Sequence, residues 1–300
     1  MPDSPAAEIA IDEALVRGLL RAQAPDAAAR PLVRAASGWD CETWRLGGDL
    51  AVRLPRRGAA APLLVNEHAV LPVIAELLRP SRIGIPAPVV RGASTEDYPW
   101  RWSVVPWFDG TDALAAPRAG RTAWAERLAT ALSLLHVPAP ADHPVNPVRG
   151  VPLAVRHDTV IERLDTLRQR GTIPHPLLDA AADCWHDAVT APPHTGPPMW
   201  IHGDLHPGNL VVRDGGLAAI IDFGDVTAGD PAYDLAVAWL AFDATGRHRF
   251  RSALADRYDD AIWMRARGWA VAVAILLLHH SDDAPAYARL GAETLAEAVG

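Results

Sequence analysis

The sequence predicts an α+β fold with two lobes, in which an antiparallel sheet with one helix precedes a mostly helical part. Apolar residues alternate in short runs over 35–54, and this period is typical of strands. An apolar run that begins at Trp100 ends in Asp109 and Gly110, which are typical of a boundary. Apolar residues then recur at helical spacing over 121–136 and in later segments.

We place the N-terminal lobe at residues 1–106 and the C-terminal lobe at 107–300, with a connecting hinge at about 105–110. A chain of 300 residues is long enough to bury a sizeable core without disulfides or structural metals. Cys41 and Cys184 accordingly show no spacing typical of a disulfide or metal motif.

Composition excludes several classes of protein. The net charge of −8 argues against a nucleic-acid partner, because phosphate backbones require clustered positive charge. The longest apolar stretch, 270–278, is far shorter than the roughly 20 residues that span a bilayer. The first twenty residues contain acidic side chains and no apolar core behind a basic start, so they do not resemble a secretory signal. We therefore expect a cytoplasmic protein without a membrane partner.

The N-terminal lobe contains two charged residues, Arg53 and Glu67, in predicted regular elements. Alternation over 49–54 places Ala51 and Arg53 on one face of a strand. Glu67 lies in a helix predicted over 63–78, on the apolar stripe of that helix. Because burying a carboxylate without a partner is costly, we predict that Glu67 is paired with a cation. Pro72 is expected to kink this helix.

The C-terminal lobe is predicted to consist mainly of amphipathic helices. They are expected at 121–136, 159–170, 177–189, 230–242, 247–258 and 260–280. Asp230 followed by Pro231 predicts the start of the fourth, with Asp230 as its N-cap.

A polar loop between apolar strands carries the most specific pattern. Residues 200–225 read WIHGDLHPGNLVVRDGGLAAIIDFGD, which predicts a strand, a polar loop and a hairpin. Asp204, Asn209 and Asp222 can then converge at one edge of the hairpin. Phosphoryl transfer uses such a set, with a carboxylate that accepts a hydroxyl proton, and an amide oxygen and a second carboxylate that hold Mg²⁺.

These residues resemble the aminoglycoside and macrolide phosphotransferase family, which is distantly related to protein kinases. HGDLHPGN stands where kinases have H-R-D-x-x-x-x-N, and IDFGD stands where they have D-F-G. The resemblance implies a bilobal, protein-kinase-like α+β fold. It implies Asp204 as the catalytic base, Asn209 and Asp222 as Mg²⁺ ligands, and His202 as a support of the loop.

The resemblance also implies the substrates. The donor would be ATP or GTP, and the acceptor would be a hydroxyl of a small molecule, such as an aminoglycoside or macrolide antibiotic, with resistance as the expected role. The chain contains no lysine, so Arg53 takes the position of the kinase strand lysine that pairs with nucleotide phosphates and with a helix glutamate, here Glu67. Ala51 would lie against the nucleotide base.

Two further segments have implied nucleotide contacts. In the predicted turn over 35–46, the candidates for phosphate binding are Ser37, Gly38 and Thr43; with one glycine and no GxGxxG motif, an ordinary hairpin turn is an equal alternative. In the hinge, the nucleotide-binding candidates are Val105, Pro106 and Phe108. The resemblance implies that the Pro106 carbonyl and the Phe108 N–H bind the base edge, and the alternative is an edge strand with aromatic packing.

The acceptor site is the least specific part of the prediction. Within the D-P-x-x-D-L segment, Asp234 is implied to brace the catalytic loop. The candidates for acceptor binding are Asp230, Asp256, Asp259, Asp260, Trp239 and Trp263. Carboxylates suit the ammonium groups of an aminoglycoside, and tryptophans suit a bulkier apolar antibiotic. The alternatives are a solvated helix junction and core packing.

Two other functions remain open on the sequence alone. A metal-dependent phosphohydrolase could use Asp204, His206, Asn209 and Asp222 as ligands of two metals, but it would not need Arg53. A kinase of a primary metabolite such as choline, homoserine or a sugar would share the motif, which reports the donor side of the reaction. A nucleotide-binding pseudoenzyme would typically lack one of the three motif residues, and all three are present.

Overall fold

The structure is a computed structural model that describes residues 6–281 and 283–300. The chain forms two compact units. The amino-terminal unit comprises the described residues up to Asp109 together with Ala219–Gly224, and the carboxy-terminal unit comprises Gly110–Ala218 and Asp225–Gly300.

The amino-terminal unit is built on an antiparallel sheet. Its elements are α1 (Glu13–Gln23), β1 (Leu32–Ser37), β2 (Cys41–Leu46), β3 (Leu50–Pro55), α2 (Ala61–Leu78), β4 (Val90–Gly92) and β5 (Trp102–Pro106). The strand order is β1-β2-β3-β5-β4. Helix α1, which we did not predict, begins where Asp12 accepts a hydrogen bond from the Leu15 N–H at 2.9 Å. Its apolar stripe packs in one cluster with side chains of β1, β2, β3 and β5.

Helix α2 confirms the predicted apolar stripe. Leu64, Leu71 and Ile74 are fully buried, and Glu67 is buried among them. The helix continues through Pro72 to Leu78 as one segment.

The carboxy-terminal unit is mostly helical. Its elements are β6 (Thr111–Asp112), α3 (Arg118–Arg121), α4 (Ala125–Leu135), α5 (His157–Arg170), α6 (His175–Thr190), β7 (Met199–Ile201), β8 (Leu210–Arg213), β9 (Gly216–Ile220), β10 (Thr227–Gly229), α7 (Ala232–Leu235), α8 (Val237–Ala241), α9 (Ala244–Ser252), α10 (Asp260–His280) and α11 (Pro285–Val299). Strands β7 and β10 pair, and β6, β8 and β9 form a three-stranded sheet. The β8–β9 turn has Asp214 and Gly215 at φ of 52° and 75°, as a tight hairpin requires.

Helix α10 is the central helix of this unit and packs against α5, α6, α7 and α11. Residues 58–81 and Asp260–His280 are each long and apolar enough to cross a membrane by length and composition alone. Most of the apolar window of α10 is nevertheless buried inside the protein, so its packing accounts for its apolar character.

Three predicted helices are divided in the structure or differ from the observed helix by more than two residues at an end. The segment 121–136 contains the end of α3, a tight turn and then α4. At this break the buried Arg121 side chain donates to the backbone carbonyls of Ala116 and Ala241. The segment 230–242 is divided between α7 and α8. Helix α9 starts earlier than predicted, since Asp243 caps it by accepting from the Gly246 N–H at 2.8 Å.

Candidate active site

The amino-terminal unit contains the predicted ion pair. Arg53 on β3 donates from Nη1 to Oε2 of Glu67 on α2 at 2.5 Å, which confirms this contact. Both side chains are largely buried. Burial favours the neutral form of Arg53, but the charges of Glu67 and Asp222 outweigh it and raise the pKa of the guanidinium above its ordinary value. Arg53 is therefore a fixed cation on the β3 face of this unit.

Asp222 lies in the same unit, close to this pair. The end of β9 is attached to the unit by a hydrogen bond from the Ile220 N–H to the Gly84 carbonyl at 3.0 Å. Asp222 has a φ of 62°, a conformation that non-glycine residues adopt rarely and that is often found at functional sites. Its Oδ1 lies 3.4 Å from Nη2 of Arg53, and 57% of its side chain is exposed. The carboxylate is thus both positioned by Arg53 and accessible.

The β1–β2 turn forms as predicted. The Gly38 N–H donates to the Cys41 carbonyl at 2.9 Å, and the Gly38 carbonyl accepts from Nη1 of Arg56 at 2.7 Å. Ser37 and Gly38 are exposed, whereas Thr43 is half-buried and lies opposite Arg53 in the β2–β3 ladder. Phosphate binding by these three residues stays a prediction.

The hinge candidates continue from the end of β5. Ala51 and Val105 face each other in the β3–β5 ladder and are almost completely buried. The Trp107 N–H donates to the Asp49 carbonyl at 2.8 Å. Because the carbonyl and the N–H of one trans peptide point in opposite directions, the Pro106 carbonyl is directed away from β3. The base contacts of the Pro106 carbonyl and the Phe108 N–H stay a prediction.

The carboxy-terminal unit holds Asp204 in the loop between β7 and β8. Nδ2 of Asn209 donates to the Asp204 carbonyl at 2.8 Å and lies 3.4 Å from Oδ2 of the Asp204 carboxylate. The sequence-predicted residues Asp204 and Asn209 are therefore brought together. That Asp222 lies close to Asp204 and Asn209 stays a prediction.

Asp234 braces this loop as the family resemblance implied. Its carboxylate accepts from the backbone N–H groups of His202 at 2.7 Å and Gly203 at 3.1 Å. The His202 ring in turn accepts from the Asp204 N–H at 3.2 Å, and the His136 ring lies 3.2 Å from the same carboxylate. Asp234 and both histidines are fully buried, so this network supports the loop from inside the unit.

The protonation state of Asp204 follows from its neighbours. Burial opposes ionisation, but the hydrogen bond and charge of His206 and the charge of Arg149 outweigh it and hold the pKa of Asp204 well below its usual range. Asp204 is therefore ionised near neutral pH. His206 Nε2 lies 3.5 Å from Oδ2, and Arg149 Nη2 lies 3.3 Å from Oδ1.

Arg149 and its second partner Asp225 are site residues that sequence reasoning missed. Arg149 lies in a Pro-rich connector outside the regular elements, where no periodic pattern reveals a required partner. Asp225 was visible as the last residue of IDFGD, but no role was inferred for it.

Each unit carries one of the two oxygen donors that were predicted as Mg²⁺ ligands. Nδ2 of Asn209 is used in hydrogen bonds to Asp204, so its amide oxygen remains for a cation, and Asp222 offers an accessible carboxylate. Oxygen ligands of this kind are those that Mg²⁺ prefers. In the described part of the chain no group of three His, Cys, Asp or Glu side chains forms a closed metal site.

The acceptor candidates mostly have structural contacts. Asp230 is buried, and its carboxylate accepts a hydrogen bond from Nε of Arg265 at 2.6 Å. The arginine occupies the place that we expected for an ammonium group of the acceptor. Asp259 caps α10 by accepting from the Ile262 N–H at 2.9 Å.

The remaining candidates are either buried or at the surface. Trp239 and Trp263 are buried with ring centroids 6.4 Å apart, as expected for core packing. Asp256 and Asp260 are exposed. The geometry therefore favours a packing role for the two tryptophans and an ion-pair role for Asp230. Asp256 and Asp260 are accessible to a ligand.

The chain is similar to known phosphotransferases. Residues 31–269 match the family described as "Phosphotransferase enzyme family". No curated protein matches the sequence. Of the solved structures, the GDP and kanamycin complex of APH(2")-IIIa is 18% identical, with 95% of this chain and 98% of that chain covered and a TM-score of 0.68.

Two other solved structures show the same likeness. The streptomycin–ATP ternary complex of APH(2")-IIa is 18% identical over 92% of both chains, with a TM-score of 0.60. The apoenzyme of macrolide 2'-phosphotransferase MphH from Brachybacterium faecium is 18% identical over 94% of this chain and 97% of that chain, with a TM-score of 0.62. These similarities show the predicted protein-kinase-like α+β fold.

Proposed function

Because this chain belongs to the phosphotransferase enzyme family, and is thus an enzyme that phosphorylates an alcohol group, we propose that it transfers the γ-phosphoryl group of ATP or GTP to a hydroxyl of a small molecule. The observation that carries this proposal is the buried Arg53–Glu67 pair. A nucleotide kinase uses such a pair to hold a cation at the phosphates, whereas a phosphohydrolase of simple monoesters has no need of it.

The proposed chemical step uses Asp204. The acceptor hydroxyl oxygen forms a bond to the γ-phosphorus while the bond from that phosphorus to the β,γ-bridging oxygen breaks. The bridging oxygen keeps the electron pair and leaves as part of ADP or GDP. The hydroxyl proton passes to the Asp204 carboxylate, which is ionised and therefore able to accept it.

Asn209 and Asp222 are the proposed ligands of Mg²⁺. When bound, the ion would neutralise charge on the transferred phosphates. The fixed cation Arg53 adds positive charge close to Asp222. An arginine fork suits bidentate binding of phosphate oxygens, although it does not reproduce the position of a lysine ammonium.

An antibiotic is the proposed acceptor. Kanamycin and streptomycin are bound in two of the similar structures, and a third is a macrolide phosphotransferase. The exposed carboxylates of Asp256 and Asp260 suit cationic acceptors such as aminoglycosides. In this proposal the enzyme acts in the cytoplasm and gives resistance by modifying the antibiotic.

A substrate screen with an inactive control tests the proposal. The purified enzyme would be incubated with ATP or GTP, Mg²⁺ and a panel of aminoglycosides, macrolides, nucleoside antibiotics, choline, homoserine and sugars, with detection of ADP or GDP and of the phosphorylated acceptor by mass spectrometry. Asp204→Ala should lower kcat by about 100-fold or more and leave nucleotide affinity nearly unchanged. Phosphate release from a monoester without nucleotide would instead identify a phosphohydrolase. Transfer to choline, homoserine or a sugar alone would assign a metabolic role.

A further inference from the structure

We propose that Arg149 is a positioning residue that holds the Asp204 carboxylate in the orientation that receives the acceptor hydroxyl. This inference rests on the proposed function of Asp204. Arg149 reaches the catalytic loop from a connector 55 residues earlier in the chain. Nη2 of Arg149 lies 3.3 Å from Oδ1 of Asp204, and the same nitrogen lies 3.2 Å from Oδ2 of Asp225. One guanidinium therefore bridges the two carboxylates.

The guanidinium is itself fixed in place. Nε of Arg149 donates to Asp225 at 3.3 Å, and Nη1 donates to the Tyr233 hydroxyl at 2.5 Å. Its central carbon lies 5.6 Å from the centroid of the Tyr233 ring. All three nitrogens thus donate to protein groups, and only 19% of the side chain is exposed. The guanidinium is thus committed to the protein's own carboxylates and to the Tyr233 hydroxyl.

The Asn146 side chain contacts both Arg149 and Asp225. Nδ2 of Asn146 donates to Oδ1 of Asp225 at 2.8 Å, so the carboxylate that orients Arg149 is itself oriented. Oδ1 of Asn146 accepts from the backbone N–H of Arg149 at 3.1 Å, which fixes the start of the arginine side chain. Both the backbone and the far end of Arg149 are therefore positioned by Asn146, directly or through Asp225.

These contacts fix the orientation of the Asp204 carboxylate. Oδ1 faces Arg149, while Oδ2 faces Nδ2 of Asn209 at 3.4 Å and Nε2 of His206 at 3.5 Å. Partners on both oxygens prevent rotation of the carboxylate. Arg149 therefore gives Oδ1 a directed hydrogen bond in addition to its positive charge, part of which Asp225 offsets. A misplacement of about 1 Å in a reacting group can lower the rate by about 100-fold, so this orientation matters for turnover.

The test compares substitutions of Arg149 with a matched control. Arg149→Met should lower kcat for acceptor phosphorylation by about 100-fold while the nucleotide KM changes little. Hydrolysis of the nucleotide by water should fall less than transfer does, because water is not held by the acceptor site. Arg149→Lys keeps one donor for Asp204 and should recover part of the lost kcat. The acceptor in these assays is one that the wild-type enzyme phosphorylates in the screen described above.

Arg247→Met is the matched control. Arg247 is 18% exposed, pairs with Glu297 at 2.6 Å and lies 5.9 Å from the centroid of the Trp239 ring, so it resembles Arg149 in burial, ion pairing and ring contact. It has no contact with Asp204 in the described part of the chain. Its substitution should affect the melting temperature and leave kcat nearly unchanged.

Several outcomes would overturn the inference. Arg149→Met with kcat within threefold of wild type would do so, as would equal losses of kcat in Arg149→Met and Arg247→Met. If Arg149→Met does not fold, Asp225→Asn replaces it and should give the same pattern with a smaller loss; an unchanged kcat there would also count against the role. Failure of the proposed function is distinguishable, because it appears as a wild-type enzyme that transfers no phosphate to any acceptor.

Discussion

Each unit contains an arginine that binds carboxylates, but only one of the two could be predicted from the sequence. Arg53 lies in a strand, at the position that the resemblance assigns to the kinase lysine. Its partner Glu67 lies on the apolar stripe of a helix, where periodicity indicated that a carboxylate needs a partner. Arg149 lies in an irregular connector, and its partners Asp204 and Asp225 follow it at distances of 55 and 76 residues. The direction of a charged side chain can be predicted from the sequence where it lies in a regular element, but not where it lies in an irregular connector.

Removal of Arg53 has the largest expected effect. Arg53→Met leaves the Glu67 carboxylate buried without its guanidinium partner, which should lower the free energy of unfolding by about 3–5 kcal/mol. Loss of a charge-assisted contact to phosphate should also raise the nucleotide KM about tenfold or more. Chemical denaturation and nucleotide titration measure the two effects.

The control for this prediction is Arg79→Met in the same unit. Arg79 and Glu76 form an exposed pair at 2.9 Å, and such surface pairs contribute about 0–1 kcal/mol. Nearly unchanged activity and stability of Arg53→Met would show that the predicted ion pair is not required, and the contrast between the two units would lose its basis.

His68, the neighbour of Glu67 on α2, gives a pH-dependent prediction. Burial, together with the charges of Arg91 and Arg101, lowers the pKa of His68 to about 4. In the unfolded chain the value is about 6.5, so between these pH values the unfolded state binds a proton that the folded state does not. Stability should therefore decrease as pH falls from about 6.5 to about 4, by up to about 3 kcal/mol.

Denaturation of wild type and His68→Gln across this pH range measures the effect. The ring of His68 lies 2.7 Å from the Ser103 hydroxyl, a contact that glutamine can partly replace without titrating. The difference in unfolding free energy between the two proteins should shrink or reverse as the pH falls. A constant difference from pH 7 to pH 4 contradicts the prediction.

A smaller effect is expected at Asp234, which was implied by the resemblance and not by periodicity. Asp234→Asn replaces one acceptor oxygen by an amide nitrogen, so one of the N–H groups of His202 and Gly203 loses its partner. A buried donor without a partner costs about 1–3 kcal/mol, and the loop that carries Asp204 should become less ordered. We expect lower kcat and a lower melting temperature.

Asp214→Asn is the corresponding control. Its carboxylate is 95% exposed in the β8–β9 turn, and asparagine tolerates the same backbone conformation, so stability and kcat should stay nearly unchanged. If Asp234→Asn behaved in the same way as Asp214→Asn, the brace would have no measurable role.

The differences between predicted and observed elements have one physical origin. Helix α2 and the β8–β9 hairpin were predicted because their apolar periods and turn residues act locally. The break between α3 and α4 was not predicted; at this break the Arg121 side chain donates to the carbonyl of Ala241, 120 residues away, a contact that the local pattern does not show. Asp230 was expected to bind substrate because its partner Arg265, from α10, could not be seen in the local pattern.

The sequence by itself determined the class of the fold, helices such as α2 and α10, the β8–β9 hairpin, and the identity of Asp204, Asn209 and Asp222 as candidate phosphotransfer residues. These depend on periodicity and on motif spacing, which are properties of neighbouring residues. Only the tertiary structure decided that Arg149 and Asp225 stand beside Asp204, and that Asp230 is paired inside the protein. Such contacts join segments that are far apart in the sequence and that meet only because other elements pack between and around them. The local sequence pattern therefore does not predict them.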